Sequence, residues 1–272
     1  MMQNRFRTLT LAARKMPARP PGSPKVDLSK NRILAALPEE ESSRLRPHLQ
    51  LVSCSLGKVL WMRGDPVRYL YFPQDAVAAL LASMDDGKSV EVALTGAEGL
   101  LGIWALLGAE KYWYLAVVQV PGSFLRIHAE VLRAEFERGG VLHHQLLRYT
   151  RYLLAQISQT AACNRVHLLQ QRLARWLLML QDHAKGNEFP LTHEFLSQML
   201  GTPRSEVTLA AGMLRNLGLI RYARGKMAIL DRQGLEAAAC ECYQIVTDEL
   251  NDPPVEKRGA AMPSQARKPA EE

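Results

Sequence analysis

The residues with the clearest chemical potential lie at the start of a predicted helix, directly after Thr202 and Pro203. Arg204 can donate two hydrogen bonds to guanine O6 and N7, and the hydroxyls of Ser205 and Thr208 can reach phosphates or bases. When a helix enters the major groove of DNA, the side chains of its first turns meet the base edges. This spacing therefore indicates contacts with double-stranded DNA.

Further candidate contacts surround this helix start. Arg224 and Lys226 belong to a glycine-containing turn between two apolar runs, which predicts a basic hairpin tip on the phosphate backbone. The start of the preceding helix offers free N–H groups to a phosphate. The alternative is that all of these are solvated residues of a small helical domain. The predicted DNA-contacting residues are Thr192, Gln198, Thr202, Arg204, Ser205, Thr208, Arg224 and Lys226.

The elements that must position these residues are two helices and a hairpin. A first helix is predicted over 192–200, capped by Thr192, and Gly201 supplies a tight turn. A second is predicted over 202–217, with Thr202 as its N-cap and Pro203 at its first position. Gly218 ends it, and residues 219–230 form the hairpin. This order predicts a winged helix-turn-helix within a domain at 166–247.

The first half of the chain has a different pattern, with short apolar runs separated by turn signals. Two short helices are predicted at 30–37 and 38–49. Strands are predicted at 51–56, 58–61, 69–72, 77–82, 89–94, 114–120 and 123–127. Many short strands at regular spacing are typical of an antiparallel sandwich or barrel. The fold class is therefore α+β, with an N-terminal antiparallel, jelly-roll-like β-roll at 28–138.

A long helix at 139–165 connects the two halves and has two apolar stripes. One stripe has the alternating spacing of three and four residues found at a helix–helix seam. It comprises Leu147, Thr150, Leu154, Ile157 and Ala161. The other stripe comprises Leu142, Leu146, Tyr149 and Leu153. Because the β-roll cannot cover both stripes, we expect the first to form a homodimer interface. The alternative is a helix buried within one subunit.

Charge and composition narrow the class of protein. The net charge of +7 over 272 residues lies entirely within residues 1–32, so the pI of 9.3 is not itself a DNA-binding signature. Residues 1–27 and 248–272 are predicted to be disordered tails. The basic tail has four possible interpretations. It is a flexible arm, a segment translated from a start codon upstream of the true one, a DNA-tracking arm or a transit peptide, and the first two are favoured. The sequence contains neither an 18-residue apolar run nor a secretion signal, so we expect a cytoplasmic protein without membrane contact.

The chain resembles the Crp/Fnr family of bacterial transcription regulators over about residues 30–247, most densely at 191–243. The arginine with which the family reads DNA falls on Arg204. Ser205 replaces the glutamate that follows it in the best-known members, and Leu209 replaces a later arginine. The wing Gly-Lys pair matches at 225–226. The resemblance implies a homodimeric regulator on a palindromic operator, with RNA polymerase as a partner and an operator preference of its own.

The resemblance is weaker in the β-roll, which it implies is a sensor domain. Members that bind cyclic AMP hold its phosphate with a Gly-Glu pair and an Arg-Ser pair, whereas the corresponding stretch at 96–114 has no arginine. A cyclic phosphate would therefore lack its bidentate partner, and we expect another effector or none. Weak effector-contact candidates are Glu98, Tyr112, Trp113 and Ser158. Alternative functions are a cyclic-nucleotide-responsive regulator and a binding module that has lost DNA binding.

Cysteine chemistry is not expected to contribute. Iron–sulfur members of the family use a cysteine cluster, but the N-terminal half has only Cys54. Cys163 and His167 share one helix face, yet two ligands do not make a zinc site. The 240–242 Cys-Glu-Cys segment, predicted on the last helix, has no second pair, which favours buried thiols. No cofactor or metal is expected, and because catalytic motifs are absent from the sequence, neither is enzymatic activity.

Overall fold

The computed structural model describes residues 26–184 and 186–252. Its α-helices are α1 (Arg32–Ala35), α2 (Glu39–Leu45), α3 (Ala129–Glu137), α4 (Gly140–Val166), α5 (Leu169–Ala184), α6 (His193–Leu200), α7 (Arg204–Asn216), α8 (Arg232–Ala238) and α9 (Cys242–Asn251). Its strands are β1 (Gln50–Cys54), β2 (Val59–Trp61), β3 (Tyr69–Pro73), β4 (Val77–Ser83), β5 (Ser89–Thr95), β6 (Leu115–Val120), β7 (Gly122–His128), β8 (Glu188–Phe189), β9 (Ile220–Ala223) and β10 (Lys226–Ile229). Short 3-10 segments lie at Arg46–His48 and Ile103–Leu107.

Strands β1 to β7 confirm the predicted antiparallel β-roll. They form one sheet in the order β1-β7-β3 and a second in the order β2-β6-β4-β5. Alternation along β3 turns Leu70 and Phe72 into the core while Tyr69 and Tyr71 stay half-buried, as the period of two residues in a strand requires. Phe124 of β7 is fully buried with them. The seven strands lie where their apolar runs and turn signals predicted them.

The folded part begins slightly earlier than the predicted boundary at residue 28. Val26 and Leu28 are both buried in the core, so the proposed tail of residues 1–27 wrongly includes Val26. Asn31 then caps α1 by accepting hydrogen bonds from the N–H groups of Ile33 and Leu34. Residues 1–25, which carry the rest of the predicted basic tail, lie outside the described residues.

Helix α4 divides its two apolar stripes as predicted. Leu142, Leu146, Tyr149 and Leu153 are buried, and α4 contacts β5, α3 and α1. On the other stripe, Leu147 and Leu154 are 44% and 50% exposed in the single chain. Such large apolar side chains standing in a row on one helix face are typical of a surface that meets another protein.

A tight contact fixes the 96–102 loop against α4. Thr95 Oγ1 and the Tyr149 hydroxyl are 3.0 Å apart. The Tyr149 ring lies so close to Gly99 that a Cβ added there would come within 2.2 Å of it, so a residue with a side chain cannot replace this glycine without displacing the ring. The Gly96 N–H donates to Glu98 Oε1 at 2.8 Å. These contacts turn the Glu98 side chain back into the protein.

The C-terminal half is a winged helix-turn-helix, in which α6 and α7 are followed by the hairpin β9–β10. Strand β8 adds a third strand in the order β8-β10-β9. This strand was not predicted because only two residues pair, at Met227–Phe189 and Ala228–Glu188. A segment this short has no periodicity of its own and exists because β10 offers it an edge.

The winged-helix half packs directly on the β-roll through α5, α6 and β5. Trp176 Nε1 donates to Glu91 Oε1 at 2.8 Å, and Gln119 Nε2 donates to Glu91 Oε2 at 2.6 Å. Burial raises the pKa of Glu91 to about 8, although both hydrogen bonds oppose this rise. The carboxyl group therefore joins β5, β6 and α5 in one dry contact.

Three predictions about the C-terminal half are wrong. Helix α9 continues to Asn251, so residues 248–251 do not belong to the tail predicted at 248–272, and residues 253–272 lie outside the described residues. Cys240 and Glu241 lie in the turn before α9, not on the helix. Val166, predicted as the first residue of the winged-helix domain, ends α4 and is exposed, because the helix breaks at residues 167–168 and α5 begins only at Leu169.

Candidate nucleic-acid interface

The recognition helix α7 begins at Arg204, two residues after the predicted N-cap. Pro203 is the N-cap residue and provides no side-chain hydrogen bond. The Thr202 hydroxyl instead donates to Glu206 Oε2 at 2.6 Å, so the prediction that Thr202 caps the helix is wrong. Arg204 consequently occupies the first helical position, where its side chain extends past the helix end.

Arg204 and Ser205 are exposed at this helix start. The Arg204 guanidinium makes no ion pair with another residue in the part of the chain that the structure describes. A free, planar set of five N–H donors at the N-terminus of an exposed helix suits a base edge or a phosphate. The predicted roles of both residues agree with their positions.

Thr208 is exposed on α7, but its hydroxyl already has partners within the protein. Its hydroxyl donates to the Arg204 carbonyl at 2.9 Å and lies 2.9 Å from His193 Nδ1. His193 also stacks on Tyr222 of the wing, with ring centroids 4.2 Å apart. Desolvation, followed by the nearby Arg204 charge, lowers the pKa of His193, which favours its neutral form. The hydroxyl of Thr208 therefore helps to position the start of α7, and its contact with DNA stays a prediction.

Sequence reasoning did not identify His193 and Tyr222, which connect α6, α7 and the wing. A signal was available for one of them, since His193 directly follows the Thr192 cap. The prediction that Thr192 is the N-cap of α6 is confirmed, because its hydroxyl oxygen accepts a hydrogen bond from the Phe195 N–H at 3.1 Å. Because this hydroxyl is occupied, a phosphate at the start of α6 would bind to the backbone N–H groups there. Gln198 is exposed on α6.

The wing presents the two predicted basic side chains at its tip. Arg224 and Gly225 both have positive φ, at 52° and 74°, which is the conformation of a two-residue type I′ hairpin turn. Arg224 and Lys226 are exposed. Further down the wing, Arg221 is paired with Glu188 at 2.9 Å. The charge available to a phosphate backbone is therefore concentrated at the tip.

The outward face of α7 also has an apolar part, of which the sequence reasoning noted only Leu209. Leu209 is 65% exposed, and Met213, one turn further along, is exposed with it. Apolar side chains in the major groove can contact the methyl group of thymine. The helix therefore combines a donor at its start with an apolar surface over its next two turns.

The four effector candidates do not converge on one site. Glu98 is buried and pairs with His183, whose Nδ1 lies 3.0 Å from Oε2. Tyr112 is buried, stacks on Trp61 and donates its hydroxyl hydrogen to the Tyr69 carbonyl. Trp113 and Ser158 are exposed. Core packing explains Tyr112, and an ion pair within the protein explains Glu98.

Little space remains where the loop at 96–114, which we call the sensor loop, meets α4. The cavity lined by Arg32, Glu98, Arg148 and Tyr149 holds about 40 Å³. Typical ligand pockets hold about 300–1,000 Å³. In this conformation the site is therefore closed to a nucleotide-sized molecule.

Among the described residues, no helix is long and apolar enough to cross a bilayer.

Comparison with known proteins gives two family matches. Residues 51–138 match the cyclic nucleotide-binding domain, and residues 171–238 match the Crp-like helix-turn-helix domain. These ranges contain the β-roll and the interface described above. They leave α4, which connects the two halves, between them.

Individual relatives have the same arrangement along most of their length. The chain is 22% identical over 212 residues to the global nitrogen regulator of Synechococcus elongatus, covering 75% of this chain and 95% of that protein. It is 26% identical over 192 residues to the transcriptional regulator LdrP of Thermus thermophilus, covering 67% and 93%. The solved structure of FixK2 from Bradyrhizobium japonicum shares the fold, with a TM-score of 0.61, 15% identity and coverage of 71% and 98%.

Proposed function

The chain belongs to the Crp/Fnr family of transcription regulators, and from this we propose that it binds a palindromic operator as a homodimer and controls transcription by RNA polymerase in the cytoplasm. The start of α7 reads bases, and the tip of the wing holds the backbone. The observation that carries the proposal is the free Arg204 guanidinium at the first position of an exposed α7.

The mechanism divides the interface into reading and holding. Arg204 donates to a guanine, Ser205 contacts a neighbouring phosphate or base, and Leu209 meets a thymine methyl. Arg224 and Lys226 neutralise phosphates without distinguishing sequence. Thr208 and His193 hold the helix start at the correct angle to the wing.

Dimerisation through α4 is the second part of the proposal. Two copies of the exposed stripe, centred on Leu147, Leu154 and Ile157, bury one another and set two recognition helices at a fixed separation. Two-fold symmetry of the protein then requires a palindromic site with half-sites about one helical turn of DNA apart.

The effector is not cyclic AMP in this proposal. The sensor loop has no arginine for a cyclic phosphate, and His183 occupies the Glu98 carboxylate. Regulation comes from another small molecule or from conditions that change the contact between the β-roll and the winged helix.

Selection of bound duplexes from a randomised DNA pool tests this function. The full chain is expected to enrich a two-fold symmetric motif, and Arg204→Ala is expected to lose the same base pair from both half-sites. Arg215→Ala is the matched control, because this exposed arginine lies at the far end of the same helix. Enrichment of no motif by the wild-type chain would contradict the proposal.

A further inference from the structure

Four side chains that are far apart in the sequence meet where α4 ends. Cys163 lies in the last turn of α4, and His167 is its C-cap residue. Cys240 lies in the turn that leads into α9, and Cys242 is the first residue of that helix. The three sulfur atoms and one imidazole nitrogen all lie within 4.8 Å of one another. We call these four residues the thiol cluster.

The spacing within the thiol cluster is that of a tetrahedral metal site. The sulfur atoms of Cys163 and Cys240 are 3.5 Å apart, and Cys242 Sγ is 3.5 Å from His167 Nδ1. A tetrahedral zinc ion with Zn–S bonds of about 2.3 Å places its sulfur ligands roughly 3.8 Å apart. The donor atoms, all within 4.8 Å of one another, therefore lie near the separations that such a site requires.

Two neighbouring side chains orient the donors. Glu241 Oε1 lies 3.2 Å from His167 Nε2, so the imidazole can donate its Nε2 hydrogen to the carboxylate and keep the Nδ1 lone pair directed at the thiols. Histidine ligands of metals almost always donate their other ring N–H to a carboxylate, a backbone carbonyl or a water. Gln159 Nε2 donates to Cys242 Sγ at 3.0 Å, which holds this sulfur in place.

The surrounding charge also suits a metal–thiolate centre. Arg172 and Arg175 lie close enough to Cys163 for their charges to interact with it. Arg175 is buried and hydrogen-bonds to the Thr160 hydroxyl, and neither arginine forms an ion pair with any residue in the described ranges. Three thiolates around one divalent cation carry a net charge of about −1, which would attract the buried Arg175 and the half-buried Arg172 guanidinium groups.

We propose that the thiol cluster binds one zinc ion as a closed structural site of three cysteines and one histidine. The ion joins the C-terminal end of α4 to the α8–α9 connection of the winged-helix half. Because α4 carries the stripe assigned to dimerisation, the site would fix the angle at which each recognition helix leaves the dimer. A disulfide between Cys163 and Cys240 is the rival, but it would leave Cys242 and His167 without a role.

Zinc content of the purified full chain is the first measurement. Elemental analysis is expected to find about one zinc ion per chain, and Cys163→Ser and Cys242→Ser are each expected to lose it. Cys54→Ser is the matched control, since this cysteine lies on β1 away from the cluster, and it should retain the metal. Zinc retained by both cluster variants, or absent from wild-type protein that also fails to bind added Zn²⁺, overturns the proposal.

Cobalt titration keeps the test independent of whether the cysteine variants fold. Reduced wild-type chain, stripped of metal and titrated with Co²⁺, should develop thiolate charge-transfer bands and the visible bands of tetrahedral cobalt, which Zn²⁺ then bleaches. Glu241→Gln is expected to weaken binding by roughly 10- to 100-fold. Absence of these bands contradicts the site. If mass spectrometry finds a Cys163–Cys240 disulfide in metal-free protein from cells grown without an oxidant, the cluster would be assigned to redox chemistry instead.

Discussion

Glu98 and His183 form a buried ion pair, 3.0 Å from Oε2 to Nδ1, that joins the sensor loop of the β-roll to the last turn of α5. Both side chains are 5% exposed. Desolvation opposes both charges, but the mutual attraction and hydrogen bond of the pair prevail, so the pKa of Glu98 is lowered and that of His183 is raised. The pair therefore links the protonation of one histidine to the contact between the two halves.

Stability should depend on pH through this pair. The contribution of His183 is complete below its unfolded pKa of 6.5 and is lost as pH rises through its raised folded pKa. The contribution of Glu98 is present above 4.5 and is lost as pH falls through its lowered folded pKa. The contribution is thus greatest between about pH 4.5 and 6.5. Glu91 acts in the same direction from pH 4.5 up to about pH 8, because it loses its proton near pH 4.5 in the unfolded state but keeps it up to about pH 8 in the folded state.

The variant His183→Gln distinguishes the contribution of the Glu98–His183 pair to the pH dependence of stability from the contribution of Glu91. Breaking a buried pair costs about 3–5 kcal/mol, so His183→Gln should lower the free energy of unfolding and flatten its decline above pH 6.5. Denaturant unfolding at several pH values measures both effects. His48→Gln is the control, because His48 is exposed. An identical pH dependence in His183→Gln and wild type would show that the pair is not linked to folding.

Cyclic AMP should not bind tightly. The loop at 96–114 offers no guanidinium to the phosphate, and binding would also have to break the Glu98–His183 pair. Isothermal titration of the full chain is expected to show no saturable heat at micromolar concentrations. Micromolar or tighter binding would contradict the closed site and favour a cyclic-nucleotide-responsive regulator.

The dimer should depend on the exposed stripe of α4. Leu154→Glu places a charge in an apolar contact, which costs several kcal/mol when the charge has no partner, and should shift sedimentation toward the monomer. Ala162→Glu is a matched control, because it lies on the same helix about 80° away from Leu154 around the axis. If Leu154→Glu sediments as an unchanged dimer, the interface lies elsewhere.

Arg204 and Lys226 should differ in what their loss changes. Arg204→Ala should weaken operator binding, with a loss of about 1–3 kcal/mol of discrimination at one base pair in each half-site. Lys226→Ala should weaken all sequences about equally and reduce the salt slope by about one. Fluorescence anisotropy with operator and scrambled duplexes at several salt concentrations separates these effects. An unchanged operator-to-scrambled ratio in Arg204→Ala would transfer specificity to Ser205, Leu209 and DNA shape.

Local order was predictable from the sequence because its signals are local. Alternating apolar residues specify β1 to β7, Thr192 caps α6, and Gly218 has the positive φ that ends α7. The same signals predicted a β-roll, a long helix and a winged helix-turn-helix. Even the two stripes of α4 follow from a spacing of three and four residues, since burial of one stripe leaves the other exposed.

Tertiary contact decided which polar groups are free and which are occupied. The thiol cluster joins Cys163 to Cys240 across 77 residues, Trp176 reaches Glu91 across 85, and the hydroxyl of Thr208 is taken by Arg204 and His193. No local pattern encodes such pairings, because they arise when separately formed elements pack and their buried polar groups must find partners. The sequence thus determined the elements and their order, while packing determined the closed sensor site and the candidate metal site.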